Sequence, residues 1–213
     1  MGTAERRERE RTELRRKILD AARELFVEHG YENVSMRMIA KRIEYSPTAI
    51  YFHFKDKEAL FQELCATDFL SLGKIFARIA RIADPVDRLR AVGRAYAEFG
   101  VEHPHHYRLM FMTPTPGPRL DPEDNRWVQR GNPEEDAYFF LKQTVEEGIR
   151  AGRFRPELDD AEELAQLMWA AIHGVLSLRI AKGSDTWIDW APVMELVDRM
   201  IEVTVRGILR TDA

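Results

Sequence analysis

The sequence predicts an all-α protein of about nine helices, and three observations support this fold class. Apolar residues recur every three or four positions along most of the 213 residues, which is the spacing of one helix face. No competing stretch alternates apolar and polar residues as a half-buried strand would. Residues that can cap helices precede several of the apolar runs. Because 45% of the residues are apolar, the chain can bury a core.

The composition excludes several classes of protein. Charged residues interrupt the longest apolar stretches before about 20 residues, and residues 4–17 mix arginine with glutamate, so we expect neither a membrane span nor a secretory signal. Cys65 is the one cysteine, and the chain has no Cys/His zinc pattern. We therefore expect a protein of the reducing cytoplasm that needs no cofactor, with Cys65 as a core residue.

Charge is divided unevenly along the chain, whose net charge is −4. Residues 1–57 hold 13 Lys and Arg against 10 Asp and Glu, whereas residues 58–213 hold 19 against 26. A polyanion is therefore attracted to the N-terminal part and repelled by the rest.

The first three predicted helices are set by local signals. Helix one runs from about Thr12 to His29, where its apolar positions end before a glycine. Ser35 can cap a second helix of about two turns. Ser46 can cap a third, with Pro47 at the first helical position, where a missing N–H costs nothing. This third helix should end near residue 52.

The remaining helices follow the same reasoning. Asp56 can cap a long fourth helix that runs to about residue 81, before Asp84-Pro85 breaks it. Residues 113–133 contain five of the ten prolines and are predicted to be a loop. The apolar periodicity predicts five further helices at about 85–102, 104–112, 133–151, 160–182 and 187–210.

Two short helices joined by a tight turn after a longer helix are typical of helix-turn-helix DNA-binding domains. The DNA major groove is about 12 Å wide and accepts one helix. We therefore divide the chain into a DNA-binding domain, residues 1–57, and a second helical domain, residues 58–213. The arm up to Arg11 can either track the minor groove or extend the first helix into solvent.

Four segments of residues 12–62 carry a specific resemblance. They run from Ile18 to Phe26 (ILDAARELF), from His29 to Tyr31 (HGY), from Met38 to Ala40 (MIA) and from Ser46 to Leu60 (SPTAIYFHFKDKEAL). In order, spacing and helix length they resemble the N-terminal domain of the TetR family of repressors. The resemblance implies an all-helical homodimer that binds double-stranded operator DNA with its third helix in the major groove.

The resemblance also implies roles for single residues. Arg37 matches a base-contacting arginine, and its guanidinium can fork onto guanine O6 and N7, while Thr48 and Ala49 can meet a thymine methyl or a nearby base edge. A phenol, an imidazole and an ammonium can each donate to a phosphate oxygen. The predicted DNA-binding residues are Arg37, Ser46, Pro47, Thr48, Ala49, Tyr51, Phe52, His53, Lys55 and Lys57.

Simpler roles compete at some of these positions. Tyr51 and Phe54 could both be core aromatics, and we expect this for Phe54. Lys57 could only solvate a helix start, and His53 is open between the two interpretations. The family usually has glycine where this chain has Glu44, at a turn position that favours left-handed backbone, so a non-glycine residue there costs about 1 kcal/mol.

The second domain has a shorter resemblance. Residues 169–178 (WAAIHGVLSL), preceded by residues 103–111 (HPHHYRLMF), are similar to the TetR subgroup named for a tryptophan and a His-Gly pair. Aromatic and soft side chains with a few polar groups suit a small apolar effector, although each could also be plain core. The candidate effector-binding residues are Phe99, His103, Tyr107, Met110, Phe111, Phe139, Phe140, Met168, Trp169 and His173.

Two features of the last helices predict contacts with other groups. Gly174 lies in mid-helix, where glycine costs about 1 kcal/mol relative to alanine unless a neighbouring helix or a ligand approaches closely. The last two helices have more apolar surface than one domain of this size needs. As the resemblance implies, we expect them to form a four-helix dimer interface, which sets two recognition helices about 34 Å apart on a near-palindromic operator.

The histidines near residue 104 allow an enzymatic or metal-binding interpretation, which we do not favour. His105 and His106 are adjacent and cannot share a helix face, and the chain has no evident activated nucleophile. We therefore expect no catalytic residues and no metal ligands. We expect a repressor released by its effector, and the alternative is a regulator whose second domain binds a protein through the loop 113–133.

Overall fold

The computed structural model describes residues 3–113, 132 and 135–210. Apart from one isolated bridge, the regular structure of these residues is helical, which confirms the all-α fold class. The predicted loop at 113–133, with its alternative role as a docking surface, lies almost wholly outside the described residues. The described helices are α1 (Thr3–His29), α2 (Met36–Arg42), α3 (Pro47–His53), α4 (Lys57–Ile79), α5 (Pro85–Glu102), α6 (Pro104–Phe111), α7 (Ala137–Arg150), α8 (Ala161–Lys182) and α9 (Val193–Ile208).

Three predicted caps begin three of these helices. The Ser35 side chain accepts a hydrogen bond from the Met38 backbone N–H, and Ser46 accepts one from the Ala49 N–H at 3.3 Å. The Asp56 carboxylate accepts the Ala59 N–H at 2.8 Å. Each side chain satisfies a backbone donor that the first turn of a helix leaves unpaired, so these helices start where local chemistry predicts.

Helix α1 starts nine residues earlier than predicted. Residues 5–11 are exposed and helical, which favours extension of the first helix into solvent. Ion pairs one turn apart join Arg6 to Glu10 at 3.2 Å and Lys17 to Glu13 at 3.3 Å. Such pairs support a helix whose sequence offers no apolar face.

Helices α7 and α9 start later than predicted. Asp136 caps α7, where its carboxylate accepts the Phe139 N–H at 3.0 Å, so residues 133–136 precede the helix. Pro192 occupies the cap position before α9. Proline lacks the N–H that a longer helix would need there, so residues 187–191 lie outside α9 despite their apolar side chains.

The chain forms two compact units. The N-terminal unit is Met1–Asp68 with His105–Trp127, and the C-terminal unit is Phe69–Pro104 with Val128–Ala213. The division by packing falls inside α4 and places most of α6 in the N-terminal unit. The boundary after residue 57 stays a prediction about function.

The N-terminal unit has one apolar core, built from α1 to α3, the first half of α4 and Leu109 of α6. Ile18, Ile39 and Ile50, one from each of the first three helices, are fully buried in it. As predicted, Cys65 packs against this core, and burial raises the pKa of its thiol to about 12.

The C-terminal unit packs α5, α7, α8 and α9 against one another. Close packing requires glycine at position 148 of α7, because a Cβ there would lie 2.3 Å from the Phe154 ring. Phe154 and Leu209 form an antiparallel bridge, in which the Arg155 N–H donates to the Ile208 carbonyl at 2.9 Å. This bridge holds the segment after α7 to the end of α9.

Helix α8 is the one helix among the described residues that is long and apolar enough to cross a membrane, by length and composition. The core helix of a water-soluble domain passes the same test. One side of α8 buries Met168, Ile172 and Leu176 in the C-terminal unit, whereas Leu167 and Leu178 are 52% and 57% exposed. Both sides of α8 are therefore apolar, and this chain covers only one of them.

Candidate functional site

The turn between α2 and α3 has the left-handed backbone that the resemblance implies. Glu44 has φ +61°, and among the described residues it is the one non-glycine residue with positive φ. The next N–H, of Tyr45, reaches back to the Ala40 carbonyl at 2.9 Å. The turn therefore closes in the usual way, with an exposed carboxylate where glycine would be unstrained.

Helix α3 has one buried face and one exposed face. Ile50 is fully buried, and Phe54, the residue that follows the helix, is 3% exposed, which confirms Phe54 as a core aromatic. Tyr51 is 53% exposed and Phe52 75% exposed, so the core interpretation of Tyr51 is wrong. Exposed residues of the predicted DNA-binding set are Arg37, Ser46, Pro47, Thr48, Tyr51, Phe52 and Lys55, and Ala49 is partly exposed.

Arg37 and Lys55 are exposed cations beside this face. Within the described part of the chain, neither side chain forms a hydrogen bond or an ion pair. A guanidinium and an ammonium in this state can approach an anion without first breaking an internal contact.

Lys57 has a role that sequence reasoning missed. Its ammonium donates to the carbonyl oxygens of Tyr31, at 2.8 Å, and Glu32, at 3.3 Å. It also lies 4.3 Å from the centre of the Tyr31 ring, a cation–π distance. An ammonium has three donors, so one N–H remains for a phosphate.

His53 is partly buried at the end of α3. Its Nδ1 is buried and makes no hydrogen bond with the described residues. Burial lowers the pKa of His53, and the charges of Arg15 and Arg11 lower it further. Arg15 also donates to the His53 carbonyl at 3.1 Å and pairs with Glu63, so it ties the end of α3 to α4.

The predicted effector-binding residues fall into both units. Tyr107, Met110 and Phe111 belong to the N-terminal unit, where Tyr107 is fully buried with its ring 5.0 Å from that of Phe111. The other seven belong to the C-terminal unit. Of these, Phe99, Phe140 and Met168 are buried, Phe139, Trp169 and His173 are partly exposed, and His103 is exposed.

A polar cluster joins two of the predicted residues to one that sequence reasoning missed. Trp169 Nε1 donates to the Tyr96 hydroxyl at 2.9 Å, and this hydroxyl lies 3.2 Å from His173 Nδ1. Tyr96 is 5% exposed on α5, one turn before Phe99 on the same helix face. That spacing is the signal that could have identified it.

The histidines considered as metal ligands have other surroundings. His106 Nδ1 lies 2.9 Å from Asp68, whose buried carboxylate also accepts a hydrogen bond from Arg23 at 2.8 Å. The His103 ring lies 5.3 Å from that of Phe99. Within the described ranges, no three His, Cys, Asp or Glu residues are grouped so that they could hold a metal ion.

Known proteins match both parts of the chain. Residues 18–64 match the family described as bacterial regulatory proteins, tetR family, and residues 89–204 match the tetracyclin repressor-like C-terminal domain. The chain is 28% identical over 194 residues to the HTH-type transcriptional repressor AcnR of Corynebacterium diphtheriae, covering 91% of this chain and 92% of that protein. It is 39% identical over 77 residues to the HTH-type transcriptional repressor Rv1474c of Mycobacterium tuberculosis, covering 36% and 41%.

The fold also matches solved structures. The fatty acid degradation regulator FadR from Bacillus halodurans superimposes with a TM-score of 0.70 at 19% identity, over 90% of this chain and 94% of that one. At this identity the likeness shows a shared fold.

Proposed function

Because the chain belongs to the TetR family, and is a DNA-binding transcriptional regulator rather than an enzyme, we propose that it is a homodimeric repressor that a small apolar effector releases from its operator. One observation carries most of the proposal. The outer face of α3 is exposed, while Ile50 and the Ser46 cap hold the helix rigidly on the core. A recognition helix needs this combination in order to enter the major groove as a fixed body.

Base reading is assigned to Arg37, Thr48 and Ala49. The Arg37 guanidinium can fork onto a guanine, and the methyl groups of the other two can meet a thymine. Pro47 and Phe52 add apolar surface to the same face. Exposure at these positions supports the assignment.

Contacts to phosphate are assigned to the Ser46, Tyr51, Lys55 and Lys57 side chains and to His53. Tyr51 and Lys55 are exposed, and Lys57 keeps one N–H beyond its two backbone contacts. These contacts position the protein on the duplex without reading its sequence.

A second copy of the chain is proposed to cover the apolar faces of α8 and α9. Leu167, Leu178 and Val203 are each more than half exposed. Gly174 on α8 and Gly207 on α9 lie among them, and a Cβ at either glycine would meet no atom within 4 Å. A mid-helix glycine with open space above it suits a close approach by a helix of the partner copy. A two-fold dimer would place two α3 helices about 34 Å apart, which favours a near-palindromic operator.

Release requires that the effector bind one dimer conformation better than the DNA-bound one. The C-terminal unit supplies the proposed effector site, and the chain would act in the cytoplasm, where it meets its operator. A thermal-shift screen with apolar compounds separates this proposal from a protein-binding second domain. A ligand present at 100 times its dissociation constant adds about 2.7 kcal/mol of stability.

The direct test is selection of bound sequences from a random DNA pool at two salt concentrations. We expect a near-palindrome to be enriched, and Lys55→Ala to weaken binding to it. Lys74→Ala is the matched control, because it removes the same charge from an exposed position of α4 that lies in the C-terminal unit. Recovery of no motif from the wild-type chain, or equal effects of the two variants, would contradict the proposed interface.

A further inference from the structure

Three polar side chains form a hydrogen-bonded relay inside the C-terminal unit. Trp169 and His173 lie one turn apart on α8, and Tyr96 reaches them from α5 with its hydroxyl 2.9 Å from the indole nitrogen and 3.2 Å from His173 Nδ1. Tyr96 is buried, while the two α8 residues are partly exposed. Burial of three polar groups in a helical core is costly unless each has a partner, and the relay provides partners.

The chemistry of the three groups gives this relay a direction. An indole N–H can only donate, so the Tyr96 oxygen accepts from Trp169. The Tyr96 hydroxyl hydrogen is then best used toward His173 Nδ1, which accepts it. A neutral imidazole with Nδ1 as the acceptor carries its hydrogen on Nε2. The relay therefore makes the Nε2 of His173 a hydrogen-bond donor.

The surroundings of His173 strengthen such a donor. Burial lowers the pKa of His173, which favours the neutral ring. The Trp169 ring lies 6.0 Å from His173 and 6.0 Å from Tyr138 of α7, and Phe99 follows Tyr96 on the buried face of α5. Hydrogen bonds formed in such apolar surroundings are electrostatically stronger than in water.

We propose that the Nε2–H of His173 is the donor that recognises the effector, which therefore carries a carbonyl or carboxylate oxygen on an apolar body. The inference rests on the proposed function, because it defines the ligand of the effector site. A site that offers a fixed polar group in apolar surroundings selects strongly against analogues that lack its partner. The relay fixes the tautomer before the ligand arrives, so binding does not have to reorganise it.

The test uses two pairs of compounds, 2-naphthoate with naphthalene and 4-phenylbutanoate with butylbenzene. Each pair shares its apolar body and differs in the acceptor. We expect the full-length chain to bind the carboxylate of a pair at least about tenfold more tightly, as loss of a hydrogen bond to a charged group implies. His173→Leu should abolish this preference, and His173→Gln should retain part of it because the amide is still a donor.

Two further measurements separate recognition from a purely structural role. Nitrogen NMR of the histidine-labelled chain should show His173 as the Nε2–H tautomer, and Tyr96→Phe should shift the population toward Nδ1–H. His105→Leu, which removes an exposed histidine of the other unit, should leave both the tautomer and the binding preference unchanged.

Each outcome bears on the inference. Equal binding of hydrocarbon and carboxylate, an unchanged preference in His173→Leu, or no binding of any of the four compounds would overturn it. Failure of the proposed function has a different signature, namely that the wild-type chain enriches no operator. A chain that enriches a near-palindrome but prefers the hydrocarbons keeps its proposed function and loses only this inference.

Discussion

Lys57 Nζ lies 2.8 Å from the backbone oxygen of Tyr31 and 4.3 Å from the centre of the ring of the same residue. The ammonium therefore ties the first residue of α4 to the segment between α1 and α2. In the proposed interface the same group also approaches a DNA phosphate. One side chain thus carries a structural role and a proposed binding role, and mutation can separate them.

Lys57→Ala should affect both stability and DNA binding. Loss of the two hydrogen bonds and the ring contact should lower the free energy of unfolding by about 1 to 2 kcal/mol. Loss of a phosphate contact should weaken binding to all sequences and reduce the salt slope by about one unit. Lys55→Ala is the control, since Lys55 is exposed and should change the slope without changing denaturant midpoints. Equal loss of stability in both variants would refute the structural role of Lys57.

Arg37→Ala should affect specificity alone. Loss of a forked contact to guanine should cost about 1 to 3 kcal/mol of binding and relax the preference at one operator position. Because Arg37 is exposed, urea unfolding should be unchanged. Repeating the random-pool selection with this variant is the measurement, and a uniform loss at all positions would reassign Arg37 to phosphate.

Glu44→Gly should stabilise the chain. Glycine removes the cost of φ +61° but adds freedom to the unfolded chain, so we expect a net gain of about 0.5 to 1 kcal/mol. Glu44→Gln separates charge from backbone, because it keeps the strain and removes the carboxylate that would lie near DNA. Calorimetry and operator binding of the two variants should therefore differ, with tighter binding in both and higher stability only in Glu44→Gly.

The buried pair of Arg23 and Asp68 should be far more sensitive than surface pairs. Asp68→Leu leaves a guanidinium that is only 13% exposed without its carboxylate, which should cost about 3 to 5 kcal/mol. Adding Arg23→Met to that variant should recover much of the loss. Glu10→Ala, which breaks an exposed pair with Arg6, should cost less than about 1 kcal/mol. A double variant no more stable than Asp68→Leu would contradict this account.

Acid should destabilise the chain partly through His173. Burial lowers the pKa of His173 in the folded state below its usual value of 6.5, so between the two pKa values the unfolded chain binds more protons. The free energy of unfolding therefore falls as pH drops through about 6.5 toward the folded-state pKa. Measured between about pH 7 and 5, this fall should be smaller in His173→Gln. His53, whose pKa is also lowered by burial, should contribute in the same direction.

The parts of the fold that depend on neighbouring residues could be predicted from the sequence. Ser46 and Pro47 begin α3 by satisfying its own first turn, and the turn at Glu44 closes through nearby backbone groups. Apolar periodicity alone was less informative. It extended α9 back to residue 187, whereas Pro192 prevents a helix from continuing through that position.

The contacts that join distant parts of the chain could not be predicted in this way. Lys57 and Tyr31 are 26 residues apart, and Tyr96 and His173 are 77 residues apart. Neither pair has a local signal, because the partners meet only after the helices pack. The effector-binding set was also built from residue type alone, and the packing assigns Tyr107, Met110 and Phe111 to the N-terminal unit.

The place of α6 affects how such a protein can be recombined. Leu109, which is 2% exposed, completes the core formed by α1 to α4, although it follows them by a whole intervening helix. An exchange of DNA-binding heads between related regulators at residue 57 would therefore separate a core from one of its own side chains. Chimaeras that also carry over the second half of α6 should express and fold better than those joined by the shorter cassette, so the fold itself limits modular exchange.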